Sequence, residues 1–358
     1  MSVHLTLQGW TNLLCLWLLM SNPEHITGPG QPDPIDPMLP LIRQLIEAMG
    51  VHPIDIEPGD VPPGPPAVPE ATDYDDIIPT AILTAGWRTF SNLPLAKEVA
   101  QAATRIWEGD GHDLPVVFEP EKHAPALEIR HRVTDHLINE AGNAQILDIA
   151  AGLTSRGMHM AQGESVTYVE LDLPVISDLK NRVQRQLQRD GTIRRFGRGD
   201  LLLEAGDALD PAAVTRAAQH FNPGEPVTVL TEGLLHYLRR DERAALAQNI
   251  HGVLQQAGGG VWITDMPTWE GISDHDREMA QHTSDISGRH VPSLRFETHQ
   301  EAQEFFAQYG LKLEVKRPFL SVIDELESPS EVGATREEVV DVNAPWSMWM
   351  FEFRLADD

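Results

Sequence analysis

Four short stretches place carboxylates where an apolar run gives way to a loop. They are "ILDIAAGLTSRG" (146–157), "YVELDLP" (168–174), "EAGDALDP" (204–211) and "TEGLLHYL" (231–238). Asp148 lies inside the first, ahead of a break into small residues at Ala150 and Gly152. Glu170 and Asp172 alternate onto one side of the second, and either can accept from the two hydroxyls of a ribose. Asp207, followed by Ala208, closes the third and can accept from an amino group. Glu232 ends the fourth, with His236 and Tyr237 one helical turn on as candidates to move a proton. Each residue has a plain reading too. Asp172 could cap a helix, Gly152 could serve a turn, and Asp207 could be a loop acid. Four successive runs ending in an acid are harder to explain that way. The first turn could hold a nucleotide, but it lacks the G-x-G-x-x-G pattern that cradles a diphosphate.

These residues need elements to position them. From 145 onward, "QILDIA", "SVTYVELD", "LLLEAGDA", "VTVLTEG" and "GVWITDM" read as strands separated by helical segments. Such alternation predicts a parallel sheet covered on both faces, with ligands at the carboxyl ends of its strands. The last two runs, "LKLEVKRPFLSV" and "WSMWMFEFRL", have no strong helix between them and predict an antiparallel hairpin on one edge. Ahead of the sheet, residues 78–107 are helical with a break at Asn92–Pro94, and 127–142 form a further helix. The expected organisation is a Pro-rich extension over 1–70, with one short helix at 38–49 and an extended linker at 53–70. A helical cap over 71–142 and a Rossmann-like α/β domain over 143–358 follow.

Composition narrows the partners. The chain has 358 residues, 41% hydrophobic, and a formal net charge of -27. A surface that acidic repels phosphate backbones and anionic membranes, so neither nucleic acid nor a membrane is expected as a partner. The apolar run at 13–20 is far short of the roughly 20 residues that span a bilayer, and Met20 is an alternative start. The single Cys15 precludes an intramolecular disulfide and fits a reducing cytoplasm. No metal site is expected. "SDHDREMAQH" (273–282) concentrates Asp and His without a usable ligand spacing, and reads as a solvated helix or lid over an acceptor pocket that Trp269 could line.

The quoted stretches resemble the motifs of leucine carboxyl methyltransferase-like proteins, over roughly residues 78–358. "YVELDLP" and "TEGLLHYL" are the more specific pieces. The resemblance implies a class I methyltransferase that uses S-adenosyl-L-methionine, and its bacterial branch includes O-methyltransferases of polyketide tailoring. By that similarity Gly152 would lie under the methionine part of the cofactor and Asp172 would hold its ribose. Asp207 and Ala208 would flank the adenine, and Glu232 would face the methionine moiety. An arginine of the helix before the first strand would meet the cofactor carboxylate. Arg130 aligns better than Arg132, five residues ahead of Asp135. The departures are Ala150, where glycine is more usual, and the N-terminal 70 or so residues.

The acceptor is expected to be a small molecule with a hydroxyl or carboxyl group. A carboxylate needs no base, whereas a hydroxyl benefits from one. His236 is then the nearest candidate, with His159 behind it and Tyr237 more suited to packing or positioning. A protein carboxyl methyltransferase, a silent cofactor-binding protein and a dehydrogenase are the rival readings. The oligomeric state is open. Residues 1–37 lack helical or strand periodicity, so deleting them should leave the melting temperature and the affinity for S-adenosylhomocysteine unchanged. A truncated chain that fails to fold would refute this.

Overall fold

The computed structural model describes residues 77–113, 120–163, 165–194, 199–266, 268–270, 295–343 and 349–356. All belong to one compact unit, Thr72–Asp358. The expected helix at 38–49, the linker at 53–70, the apolar run at 13–20 and the acidic segment 273–282 lie outside the described residues.

Three helices lead in: α1 (Ile77–Arg88), α2 (Ala96–Gly109) and α3 (Pro120–Ala141). The break between α1 and α2 falls where Pro94 was read to force it. Helix α3 starts seven residues before the expected 127. It contains Pro125 in its second turn, where the ring removes one backbone donor from the helix. The chain then alternates: β1 (Gln145–Ile149), α4 (Arg156–Gly163), β2 (Thr167–Asp172), α5 (Pro174–Arg189), β3 (Asp200–Ala205), α6 (Pro211–Ala218), β4 (Val227–Thr231), α7 (Arg240–Gln256) and β5 (Gly260–Asp265). Helix α8 (His299–Ala307), β6 (Leu311–Pro318), α9 (Ser328–Val332), α10 (Arg336–Asn343) and β7 (Trp349–Leu355) complete it.

The seven strands are ordered β3-β2-β1-β4-β5-β7-β6. The first five pair in parallel, and β7 runs antiparallel to both β5 and β6. The sheet is therefore of the predicted Rossmann-like class. The closing pair differs in detail from a plain hairpin. Strand β7 inserts between β5 and β6, and α9 and α10 lie in the connection. That region is charged and carries only scattered apolar residues, which hid its helices from a periodicity reading.

Alternation along the strands builds two cores. Ile146, Tyr168, Leu230 and Ile263 face the side covered by α1–α5. Leu147, Val169, Val229 and Trp262 face the other, against α6, α7 and α8. Asp148, Glu170 and Asp172 follow the parity of Ile146 and Tyr168, so their side chains turn toward the α3–α5 layer. Register pairs Asp148 with Glu170 on one side and with Leu230 on the other. The strand order reverses between β1 and β4. Sheets of this kind bind ligands outside the carboxyl ends of the strands at that point.

Gly260 fixes the start of β5. Its φ is +127°, and a Cβ there would overlap the backbone oxygen and nitrogen of Val227, its register partner on β4. Gly260→Ala should cost on the order of 3 kcal/mol through backbone strain and lost pairing. Denaturant unfolding of the two proteins tests this, and an unchanged midpoint would show that the β4–β5 register does not depend on the glycine.

Candidate active site at the strand ends

Three arginines from three different helices converge on Glu232, just past β4. Arg88 ends α1, Arg130 sits in the middle of α3 and Arg156 opens α4. Arg88 Nη2 donates to Glu232 Oε1 at 3.4 Å, Arg130 Nε to the same oxygen at 3.1 Å, and Arg156 Nη2 to Oε2 at 2.9 Å. Burial alone would push the Glu232 carboxyl up. Arg156, Arg130 and Arg88 outweigh it and hold the group well below its ordinary value. Burial lowers Arg88 to about 10, helped by the charges of Arg130 and Arg156 and opposed by Glu232.

Arg156 is a hub. Its Nε donates to Asp135 Oδ1 at 2.6 Å, and a further nitrogen lies 4.0 Å from Asp148. Asp148 itself is sealed beneath the turn, 1% exposed, and accepts from the Tyr168 hydroxyl at 2.7 Å. Burial raises its carboxyl to about 6. Asp148 thus supports the arginine layer from below and does not line the crevice as a direct ligand would.

A second carboxylate completes the cluster. Asp265, the last residue of β5, accepts from the Gly233 backbone at 2.8 Å and from Arg130 Nη1 at 3.4 Å. It also meets His236 Nε2 at 3.3 Å. His236 lies in a single 3-10 turn, Leu235–Tyr237, which begins three residues past Glu232. Tyr237 beside it is 53% exposed. Its side chain stands at the surface, and its phenol acts on Arg130 by charge, helping to raise the guanidinium pKa.

The turn after β1 carries the other half. Ala150 and Gly152 both adopt left-handed backbone, with φ of +57° and +56°. Glycine would take this conformation freely, but alanine is strained there by roughly 1–2 kcal/mol. The compact turn therefore tolerates Ala150 at a cost. Two hydrogen bonds hold it: the Ala150 backbone donates to Leu171 O at 2.8 Å, and that of Gly152 to Asp172 Oδ2 at 2.7 Å. The other oxygen of Asp172 accepts from Leu173 N at 2.8 Å. Asp172 is half-buried at the strand end. It caps no helix, because Leu173 occupies the cap position of α5.

Glu170 departs from expectation. It is 2% exposed and ion-paired with Lys180 of α5. It shares a side with Asp172 but lies one strand repeat deeper, so it is spent inside the layer and cannot meet a ribose. Asp207 is exposed and folds its Oδ1 back onto Leu209 N at 2.9 Å. The carbonyl of Ala208 accepts from Asn249 at 3.0 Å. Arg132, the alternative to Arg130, is engaged by Glu128 and Asn92. His159 is exposed and lines a cavity of about 130 Å³ with His131, Asp135, Ser155 and Arg156. Trp269 is buried under the Arg295 guanidinium, 4.8 Å from its ring centre. Among the described residues no group of three His, Cys, Asp or Glu side chains could hold a metal, and no helix is long and apolar enough to cross a membrane.

Sequence reasoning missed Arg88, Arg156 and Asp265. The last ends a fifth strand just as the other acids end theirs, so the same signal extends to it. Nothing local marked the two arginines, because burial and convergence are tertiary properties.

Residues 95–251 match the family model for leucine carboxyl methyltransferase. The chain is 32% identical over 182 residues to a Mycobacterium ulcerans (strain Agy99) protein provisionally named an S-adenosyl-L-methionine-dependent methyltransferase. That match takes in 48% of this chain and 58% of its relative. Over residues 95–251 the chain is similar to the leucine carboxyl methyltransferase family. The resemblance read from the motifs holds, and with it the class: a methyltransferase with S-adenosylmethionine as cofactor. A Mycobacterium leprae (strain TN) protein of the same provisional name is 27% identical over 75% of this chain and 90% of its own length. A Streptomyces avermitilis protein of a DUF574 family aligns in structure with a TM-score of 0.47 and 19% identity, over 77% of this chain and 97% of that one.

The residues present fit that cofactor. Three guanidiniums meet Glu232, with Asp265 beside Arg130 and Asp135 beside Arg156. Arg88 Nε is buried without a hydrogen-bond partner. A ligand carboxylate answers that nitrogen, and the acids at the strand ends answer an ammonium and a ribose.

Glu232→Gln should destabilise the fold by about 3–5 kcal/mol at pH 7, since it strands buried guanidiniums. The folded carboxyl titrates below its ordinary 4.5. Its contribution is therefore fully present above that pH and lost as the pH falls through the lower, folded value. The gap between wild type and variant in urea unfolding should narrow at low pH, and a gap independent of pH would remove the charge cluster as its cause.

Proposed function

We propose that this methyltransferase transfers a methyl group to an oxygen of a small-molecule acceptor. The observation that supports this best is the crevice between β1 and β4. It brings an arginine–carboxylate cluster, the half-buried Asp172 and an imidazole to one set of strand ends. We assign Asp172 to the ribose and Asp207 with Ala208 to the adenine. Gly152 lies under the methionine part, Glu232 takes the ammonium, and Arg130 with Arg88 takes the carboxylate. Asp148 and Arg156 hold these groups from behind.

When bound, S-adenosylmethionine supplies an electrophilic methyl carbon on a sulfonium, ready for direct displacement. The chain's task is alignment. Holding two reactants in a near-attack geometry is worth effective molarities of about 10⁵–10⁸ M in favourable cases. Residues 71–142 act as a helical cap that carries Arg88 and Arg130, residues 143–358 form the cofactor domain, and 1–70 an extension. A polyketide-like acceptor and a cytoplasmic site of action complete the reading.

Asp172→Ala tests the cofactor assignment. It removes charge-assisted acceptors from two hydroxyls in a partly dry cleft. S-adenosylhomocysteine should bind about 2–3 kcal/mol more weakly, roughly 30- to 150-fold, while NAD binds neither protein. Calorimetry on both proteins decides, with thermal unfolding as a check on the fold. Equal affinities would take Asp172 out of the site. Turnover of labelled cofactor by no phenol or acid, despite tight binding, would turn the reading toward a silent binder.

A further inference from the structure

We propose that the acceptor group is a hydroxyl, that His236 removes its proton, and that Asp265 is the residue that positions His236 for this. The inference rests on the O-methyl transfer proposed above and names its substrate class. A methyltransferase acting only on carboxylates has no proton to remove, and an imidazole fixed at the strand ends would then serve nothing in the reaction.

The arrangement starts from Asp265. It is 1% exposed and fixed from two sides, by the Gly233 backbone on Oδ1 and by Arg130 on Oδ2. A carboxylate held this way can only accept. His236 Nε2, at 3.3 Å from Oδ2, must therefore carry the hydrogen, and this leaves Nδ1 with its lone pair. The imidazole side chain is 23% exposed, so it remains reachable beside a carboxylate that is not. Glu232, the other carboxylate of the cluster, is held by three arginines and has no histidine among its hydrogen-bond partners. The two acids thus have different occupations: one sits in a cationic cage, the other orients a ring.

The step balances simply. The acceptor O–H bond breaks and its proton passes to Nδ1. The oxygen electron pair forms the new O–CH₃ bond, and the pair of the old S–CH₃ bond stays on the departing sulfur. The imidazole must be neutral beforehand. Asp265 on β5, Arg130 on α3 and Arg295 ahead of α8 are the charged groups that act on it. Burial lowers its pKa below the ordinary 6.5, Arg295 and Arg130 add to this, and Asp265 partly opposes it.

Two measurements test the proposal. The first needs no acceptor. In the full chain labelled with ¹⁵N-histidine, the His236 signal is assigned by its loss in His236→Gln. At pH 8 it should show hydrogen on Nε2 and none on Nδ1, and Asp265→Asn should abolish that preference. A ring carrying its hydrogen on Nδ1, or one indifferent to Asp265→Asn, overturns the proposal. The second uses matched phenols and benzoic acids of one scaffold with radiolabelled S-adenosylmethionine. The phenols should be methylated. His236→Gln should lose about 10²- to 10⁴-fold in turnover with unchanged affinity for S-adenosylhomocysteine. Asp265→Asn should move the acidic limb of the pH–rate profile to lower pH, because the group that raises the imidazole pKa is gone. Methylation of benzoic acids alone, undiminished in His236→Gln, sinks the base but leaves the methyltransferase reading standing. Failure of the wild type to bind S-adenosylhomocysteine sinks both. If neither acceptor series is turned over, the tautomer decides.

Discussion

Everything at the strand ends depends on one buried carboxylate, Glu232, surrounded by three guanidiniums. Taking ions out of water costs several kcal/mol each, and their mutual attraction repays this only where the geometry is good. Here the repayment spreads over three helices. Arg88, Arg130 and Arg156 come from α1, α3 and α4 and meet nowhere else. The lead-in helices are therefore tied to the sheet by charge as well as by the apolar layer of Ile129, Val133 and Leu137. The cluster sets which residue of α3 faces the crevice. Arg130 points in, while Arg132, two residues on, turns to Glu128 and Asn92.

A second constraint lies in the turn after β1. The left-handed backbone at Ala150 and Gly152 turns successive N–H groups toward β2, so that one meets the Leu171 carbonyl and the next but one meets Asp172. Asp172 is thus held before any ligand arrives. A carboxylate already oriented by two backbone donors loses little freedom on binding, which is how preorganisation favours affinity. The strain at Ala150 is consistent with this, since unfavourable backbone persists where the surroundings over-determine it.

The sheet was legible in the sequence because parallel strands buried on both faces read as short apolar runs, and because small residues and prolines punctuate their ends. The positions of Asp172 and Glu232 at strand ends were legible for the same reason, whereas Asp207 lies exposed in its loop with Oδ1 turned back onto Leu209 N. Glu170 shows the limit of that argument. Strand parity put it on the correct face, but only the position of Lys180 one layer above shows that it is consumed in the interior. Arg156 shows the converse. Its place in "TSRG" suggests an exposed helix start, and its burial depends on Asp135 and Glu232, which lie 21 residues before it and 76 after it. Charges that satisfy one another across such distances leave no local pattern.

The two carboxylates of the cluster differ only in what surrounds them, and that difference separates their chemistry. Glu232 faces an excess of positive charge and stays ionised whatever else binds. Asp265 faces one arginine, one backbone donor and one imidazole. Protonating His236 would add a cation beside Arg130 and Arg295 in a buried setting. The Asp265 charge offsets that only in part, so the ring is kept neutral with its hydrogen toward Asp265. Neutrality leaves it able to take a proton, and the surrounding cations limit how strongly it holds one. A proton taken from an acceptor must also be given up before the next turnover, and the lowered basicity of the ring favours that release.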